Sequence, residues 1–425
     1  MKLAVNNILF RIAHCFTILA LPACLLPASL FTGKHAFEIA SVVIAVFFLL
    51  DSAIKKDWSW LKHRWVQLGL AFWAWQILST LWAYDTMRAL EGGLIWGRFF
   101  MMAVALAHWI LPNDKQLQGF ILYVIVGYLT FLSIDALIQF IIKIDIHGND
   151  IDGGVRLTGP FNKPILGSAI VNFLFPVVFY ALHAEMNLKK RILYMTLIAL
   201  CIASVILSGE RSALMLAAFG LFLTGIFSLF FNKMRTIILF SAAAVITVIA
   251  FTIATMFTKY SSDYVKDRQL DSIIETIQNF SDSPYGQIWH DAFLLISEHP
   301  LLGVGARNTR TYWCDMGNQV HFTQNCPLHP HNQYLEIFSE FGLIGFSMYV
   351  LMLFFIVREF VRTFPLWRQN PIMIGIAITI IIRFWPLMTQ TSYLRSMSAF
   401  PMWFIIGWGL AMLAYSQRNA EKGVS

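Results

Sequence analysis

The chain has 425 residues, 58% of them hydrophobic and 13% charged, with a mean hydropathy of +0.64 and a formal net charge of +7. Soluble domains carry about 25% charged residues, so this composition excludes an ordinary soluble domain and points to an all-α, polytopic integral membrane protein. The positive balance falls in short loops between apolar runs, which is an orientation signal and needs no nucleic acid to explain it.

A spanning helix needs roughly 20 apolar residues. That rule predicts about twelve spans, over 8–31, 36–54, 65–83, 89–111, 117–142, 164–184, 191–208, 211–231, 236–257, 332–357, 371–388 and 397–416. The first is too long for a cleaved signal peptide and lacks a small-residue cleavage site, so it reads as a retained helix. Basic residues follow the even-numbered spans: Lys55, Lys56, Lys62 and Arg64; Lys189, Lys190 and Arg191; Lys233 and Arg235; Arg358, Arg362 and Arg368. The positive-inside rule places these on the cytoplasmic side, with both termini. The chain then divides into nine spans over 1–257, a large outer loop over 258–331, and three spans with a cytoplasmic tail over 332–425.

Taken in order, Arg98, Asp135 and Arg383 fall inside predicted spans, where a charge is costly and so either functional or paired. The loop after the fifth span carries Asp145, His147, Asp150 and Asp152. Asp150 and Asp152 form a carboxylate pair of the kind that holds a divalent cation, and a solvated acidic loop is the plainer reading. Arg156 and Lys163 lie in the turn-rich run that leads into the sixth span. Arg211 stands at the start of the eighth. In the large loop, 271–280 places Ile273, Ile274, Ile277 and Phe280 on one helical face, and 289–296 places Trp289, Phe293 and Ile296 on another. Pro300 with Gly303 and Gly305 ends the second of these helices. Both are amphipathic, suited to lie on the membrane, close over a cavity or pack on the bundle. Cys314 and Cys326 share this loop, and in an oxidising compartment a disulfide is favoured over free thiols or over a zinc site with His321 and His329. Pro330 suits the first position of the tenth helix, which puts His331 in its first turn, where the helix dipole favours neutral imidazole.

Lys163, Arg211 and the His329–Pro330–His331–Asn332 run therefore sit at helix starts on the same outer side. A cation there is locally unfavourable, whereas the helix-start amides form a phosphate site. An anionic ligand reconciles the two, and in a membrane that suggests a lipid-linked phosphate or pyrophosphate.

His331–Asn332, followed after nine residues by Gly342–Leu343–Ile344–Gly345, resembles the motif of the bacterial O-antigen ligase family. The two glycines are the kind that admit a second helix closely. Ser208–Gly209–Glu210–Arg211–Ser212 resembles that family's short Arg-bearing loop. His299–Pro300–Leu301–Leu302–Gly303–Val304–Gly305 resembles the P-x-x-G-x-G segment shared with O-antigen polymerases, and Trp289 fits the tryptophan ahead of it. One position departs. Related sequences often carry Arg two residues before that tryptophan, where this chain has Gln287, which leaves Arg268, Arg307 and Arg310 as substitutes.

The resemblance implies a GT-C-like membrane glycosyltransferase of the bacterial inner membrane, with its active site facing the periplasm and no cofactor or metal. The donor would be a glycan on undecaprenyl pyrophosphate and the acceptor lipid A–core oligosaccharide, with other O-antigen assembly proteins as possible partners. His331 would be the general base, with His329 and Asn332 beside it. Arg211, Arg156, Lys163, Arg307 and Arg268 would neutralise the pyrophosphate. The same anion site would serve a polymerase, and the His motif favours the ligase. A transporter of lipid-linked sugars is the alternative of another class, but no repeated halves are visible and the candidate residues gather at one face.

Overall fold

The computed structural model describes residues 36–113, 115–152, 156–161, 163–231, 275–276, 278–315, 329–387 and 389–421. The spans expected at 8–31 and 236–257, most of the helix expected at 271–280, and Arg268, His321 and Cys326 lie outside them.

The described residues form helices and no strand, with two isolated β-bridges in the 144–156 loop. The helices are α1 (Ala36–Lys55), α2 (Arg64–Leu78), α3 (Thr86–Ala105), α4 (Lys115–Ile142), α5 (Leu166–His183), α6 (Leu188–Leu207), α7 (Arg211–Ser228), α8 (Pro284–Glu298), α9 (Gln333–Arg362), α10 (Pro371–Arg383) and α11 (Ser396–Glu421). Seven of them are long and apolar enough to cross a membrane: α3 with the π-turn that follows it, α4, α5, α6, α7, α9 and α11. The chain is thus an all-α, multi-pass membrane protein. Two predicted spans are shorter than expected. α2 has 15 residues and α10 has 13, because α10 stops at Arg383 ahead of Pro386, whose ring cannot continue a helix.

α11 runs through the centre of the bundle. Trp403 and Trp408 are fully buried, and Trp403 meets Trp96 and Phe100 of α3 edge-on at 5.4 and 5.3 Å. Charges inside the bundle are mostly answered. Arg98 pairs with Glu38 at 3.0 Å and lies over the Phe99 ring. Asp135 accepts the Ile146 amide at 2.8 Å. Arg191, read from sequence as part of the cytoplasmic charge bias, is buried and donates to the carbonyls of Ala181, Leu182 and Ala184 at 2.9–3.0 Å, closing the C-terminus of α5.

α9 is one helix by its hydrogen bonds but breaks at Gly342, which has φ +62° and ψ −169°. The expectation that Gly342 and Gly345 admit a second helix holds at Gly345, which sits against Trp75 of α2, and is corrected at Gly342, whose partner is a loop. Leu343 and Ile344 donate their amides to the carbonyls of Pro300 and Leu301 at 2.8 and 3.4 Å, and Val304 and Gly305 donate theirs to Ser339 and Glu340 at 3.1 and 2.8 Å. Gly303 sits against the Glu340 carbonyl at φ +68°. The Pro300–Gly305 loop therefore satisfies backbone groups that the helix break exposes.

α8 also differs from expectation. Ser283 caps it and Pro284 begins it, five residues before Trp289, and the buried face is Ile288, Asp291, Ala292 and Leu295. Phe293, expected on the apolar face, is exposed. Ala292 and Leu295 pack against Val304 and Trp313.

A Cβ on residue 342 would lie 2.2 Å from the Leu301 carbonyl, in a backbone region that L side chains avoid. Gly342→Ala is expected to destabilise the protein by roughly 2–4 kcal/mol in reversible mixed-micelle denaturation. Gly119→Ala, with nothing within 4 Å, should cost nothing. Equal midpoints for the two variants would show that the loop does not need this close approach.

Candidate active site at the α9 start

The His331 segment is built from the cap outward. Asn332, not Pro330, opens α9: its side-chain oxygen accepts the amides of Tyr334 and Leu335 at 3.0 and 3.2 Å. His331 consequently stands outside the helix rather than in its first turn. An Asn carboxamide satisfies two orphan amides at once, which outcompetes Pro330 for the helix start. His331 adopts φ +55°, a left-handed conformation uncommon for a residue with a side chain. Its backbone is held from both sides: its amide donates to His329 Nδ1 at 3.1 Å, and its carbonyl accepts from the Gln390 amide at 2.6 Å. Asn332 Nδ2 donates to the Pro386 carbonyl at 2.7 Å, and the Ser392 hydroxyl and Tyr393 amide donate to Glu336 in the first turn of α9. The 384–395 connection thus clamps the His331 segment.

The neutral imidazole expected here is favoured for a different reason than helix position. Burial pulls His331 below its ordinary value, and the nearby Arg395 guanidinium adds to the shift. His329 is pulled down to about 3, by burial first and then by His331 and Arg395. The two rings lie 4.2 Å apart.

Tyr285, in the first turn of α8, joins this pair to Arg211. Its ring meets His331 edge-on at 5.9 Å, and the Arg211 guanidinium lies over the same ring at 5.9 Å. Arg211 is the first residue of α7, whose start has no side-chain cap. The preceding Glu210 is buried and faces the other way. Its carboxylate accepts the Gly167 amide at 2.5 Å, the Ser168 amide at 3.3 Å and the Ser168 hydroxyl at 2.6 Å. Burial raises Glu210 to about 7, while those hydrogen bonds and the charge of Arg156 pull the other way. The start of α5 is therefore already occupied by a carboxylate of the chain itself, and the start of α9 by Asn332. Of the three helix starts expected to bind phosphate, those of α5 and α9 are thus occupied by Glu210 and Asn332, while at α7 the Glu210 side chain does not cap its own helix.

A buried glutamine braces the loop that carries Arg156. Gln139 of α4 accepts the Thr158 and Gly159 amides at 2.9 Å each and donates to the Thr158 hydroxyl at 2.9 Å, while Arg156 and Asp152 exchange backbone hydrogen bonds at 3.0 Å. Arg156 Nε is buried with no acceptor. Lys163 is exposed in the following turn. Asp145 accepts from the His147 and Asn149 amides and the Asn149 carboxamide, and so closes its own loop.

The remaining expected residues lie elsewhere. Arg307 is ion-paired with Glu91 of α3 at 3.1 Å, and Arg310 is exposed. Cys314 is disulfide-bonded. Gln287, at the departing position, donates to the Asp282 carbonyl. Tyr285, Glu210 and Arg395 were not singled out from sequence. Arg395 had a readable signal: it is a basic residue in a connection that the charge bias assigns to the outer side.

Removing the Arg395 charge makes protonation of His331 easier, so Arg395→Gln should raise the His331 pKa. Site-resolved carbethoxylation of His331 against pH, followed by mass spectrometry, should then show its acid limb at higher pH than in wild type. An unmoved limb, or one at lower pH, would refute the electrostatic link.

No curated protein matches the chain. The matched family segment spans Glu210, Arg211, Tyr285, the Pro300–Gly305 loop, His331 and the Gly342 break. Residues 196–350 match the model described as O-antigen ligase, a family that takes in membrane glycosyltransferases acting as ligases or polymerases on lipid-linked glycans.

Proposed function

We propose that the chain is an O-antigen ligase: it transfers a glycan, with inversion and without a metal, from undecaprenyl pyrophosphate to a sugar hydroxyl of lipid A–core, at the periplasmic face of the bacterial inner membrane. The observation that carries this reading is the Arg211–Tyr285–His331 cluster, which puts a cation and an imidazole against one aromatic ring. That is the separation of roles a glycosyl transfer needs.

The acceptor oxygen attacks the anomeric carbon as the bond to the diphosphate breaks. The bonding pair leaves with the diphosphate, and the acceptor proton passes to His331. A positioned base typically contributes about 10²–10⁴-fold. Arg211 faces the negative charge that develops on the leaving group, with Arg156 and Lys163 on the approach to it. Arg395 supplies the cation that Gln287 does not, since Arg307 is committed to Glu91. His329 holds the His331 amide, and Asn332 fixes the helix start beneath it.

The test uses purified protein with lipid-linked glycan, lipid A–core and EDTA. Wild type should glycosylate lipid A–core, and His331→Ala should lose about 10²–10⁴-fold of the rate. Longer glycans on the donor lipid, with none on lipid A–core, would make the chain a polymerase. Neither product, with or without added metal, would refute both.

A further inference from the structure

Two carboxyl side chains are buried on one face of α9. Glu336 and Glu340 are each 2% exposed, and their four-residue spacing stacks them one turn apart. A carboxyl group taken out of water is costly unless hydrogen bonds answer it. The Ser392 hydroxyl donates to one oxygen of Glu336, and the Tyr393 amide donates to the other at 3.2 Å. The Thr309 and Tyr393 hydroxyls reach the two oxygens of Glu340 at 3.4 and 3.5 Å. Tyr393 is therefore held twice, by its backbone at Glu336 and by its side chain at Glu340.

This anchored turn leads directly to Arg395. The Ser392 hydroxyl accepts the Leu394 amide at 3.2 Å, and the Ser392 carbonyl accepts the Arg395 amide at 3.1 Å. The Arg395 carbonyl accepts the Ser398 and Ala399 amides at 2.9 and 2.8 Å, which begins α11. The Arg395 backbone is thus fixed by way of Ser392 and Glu336, although the residue is exposed. Its charge acts on Glu336, on His331 and on His329. The other charged or titratable neighbours are Arg307 and Glu340 at Glu336, and at His331 the His329 and Tyr285 rings, with Arg211 against the Tyr285 ring.

We propose that Glu336 is a positioning residue for the transfer reaction: it holds the 392–395 turn so that Arg395 stays beside His331, and it acts on the base only through Arg395. The inference rests on the reading above, in which His331 takes the acceptor proton. With the turn released, the exposed Arg395 side chain is free to move into solvent, and a cation no longer opposes protonation of the imidazole.

The full chain in detergent, as wild type, Glu336→Ala, Glu336→Gln and Arg395→Gln, would be carbethoxylated across pH and the label on His331 read by mass spectrometry. Glu336→Ala removes both acceptors. It should move the His331 acid limb to higher pH by at least about half the shift of Arg395→Gln, and adding it to Arg395→Gln should move the limb no further. Glu336→Gln should stay near wild type, because its oxygen accepts the Tyr393 amide and its NH2 donates to the Ser392 hydroxyl. An unmoved or lower limb in folded Glu336→Ala would overturn the proposal, as would an equal shift with and without Arg395. So would a lower limb in Glu336→Gln, because the Glu336 charge would then act on His331 directly. If Glu336→Ala does not fold, Ser392→Ala, which removes one of the two hydrogen bonds, takes its place. A smaller upward shift is then expected, and the same outcomes overturn the proposal. A transfer assay separates this from the ligase reading. An uncoupled limb with transfer to lipid A–core intact leaves the ligase standing and removes the role of Glu336. A coupled limb without transfer leaves Glu336 holding Arg395 beside His331 and removes the ligase.

Discussion

The interlock between the Gly342 break and the Pro300–Gly305 loop is the constraint on which the site depends. A helix broken within a membrane protein frees amides and carbonyls that lipid cannot satisfy. Here four backbone hydrogen bonds from one loop satisfy them, and both Gly303 and Gly342 must lack a side chain for the backbones to approach. The two motifs that resembled separate family signatures are therefore halves of one joint. That joint ties α8, which carries Tyr285, to α9, which begins at Asn332 beside His331. The cation–ring–imidazole alignment across Arg211, Tyr285 and His331 inherits its geometry from it.

Charge placement follows the same economy. Most bundle charges are answered internally, by a carboxylate at Arg98, by carbonyls at Arg191 and by an amide at Asp135. Glu210 occupies the start of α5, and Asn332 occupies the start of α9. Arg156 Nε, by contrast, is buried with no acceptor. Burial and Arg395 hold both histidines below their ordinary pKa. An anionic substrate and a base able to accept a proton are compatible only in that arrangement.

Much of this was legible in the sequence. Apolar runs located α3 to α7, α9 and α11 because length and hydropathy are averages over some 20 residues, insensitive to detail. The His331, Arg211 and Arg156 positions could be read because a basic or titratable residue beside an apolar run stands out. The local errors have one origin: competition among neighbours that a period cannot resolve. Pro330 and Asn332 both suit a helix start, and the side chain that accepts two amides wins. The apolar face of α8 was assigned from a period over 289–296, whereas Ala292 and Leu295 are the residues packed against Val304 and Trp313. Tyr285 and Arg395 lie 46 residues before and 64 after His331, and their convergence is purely tertiary.

The most direct test of the central claim is a cryo-EM structure with an unreactive lipid-linked glycan analogue whose anomeric bond cannot break. The account predicts the diphosphate at hydrogen-bonding distance from Arg211, with the anomeric carbon on the side of the Tyr285 ring that faces His331. A diphosphate held instead near Arg307 and Glu91, or an anomeric carbon beyond the reach of a hydroxyl bound to His331, would contradict it.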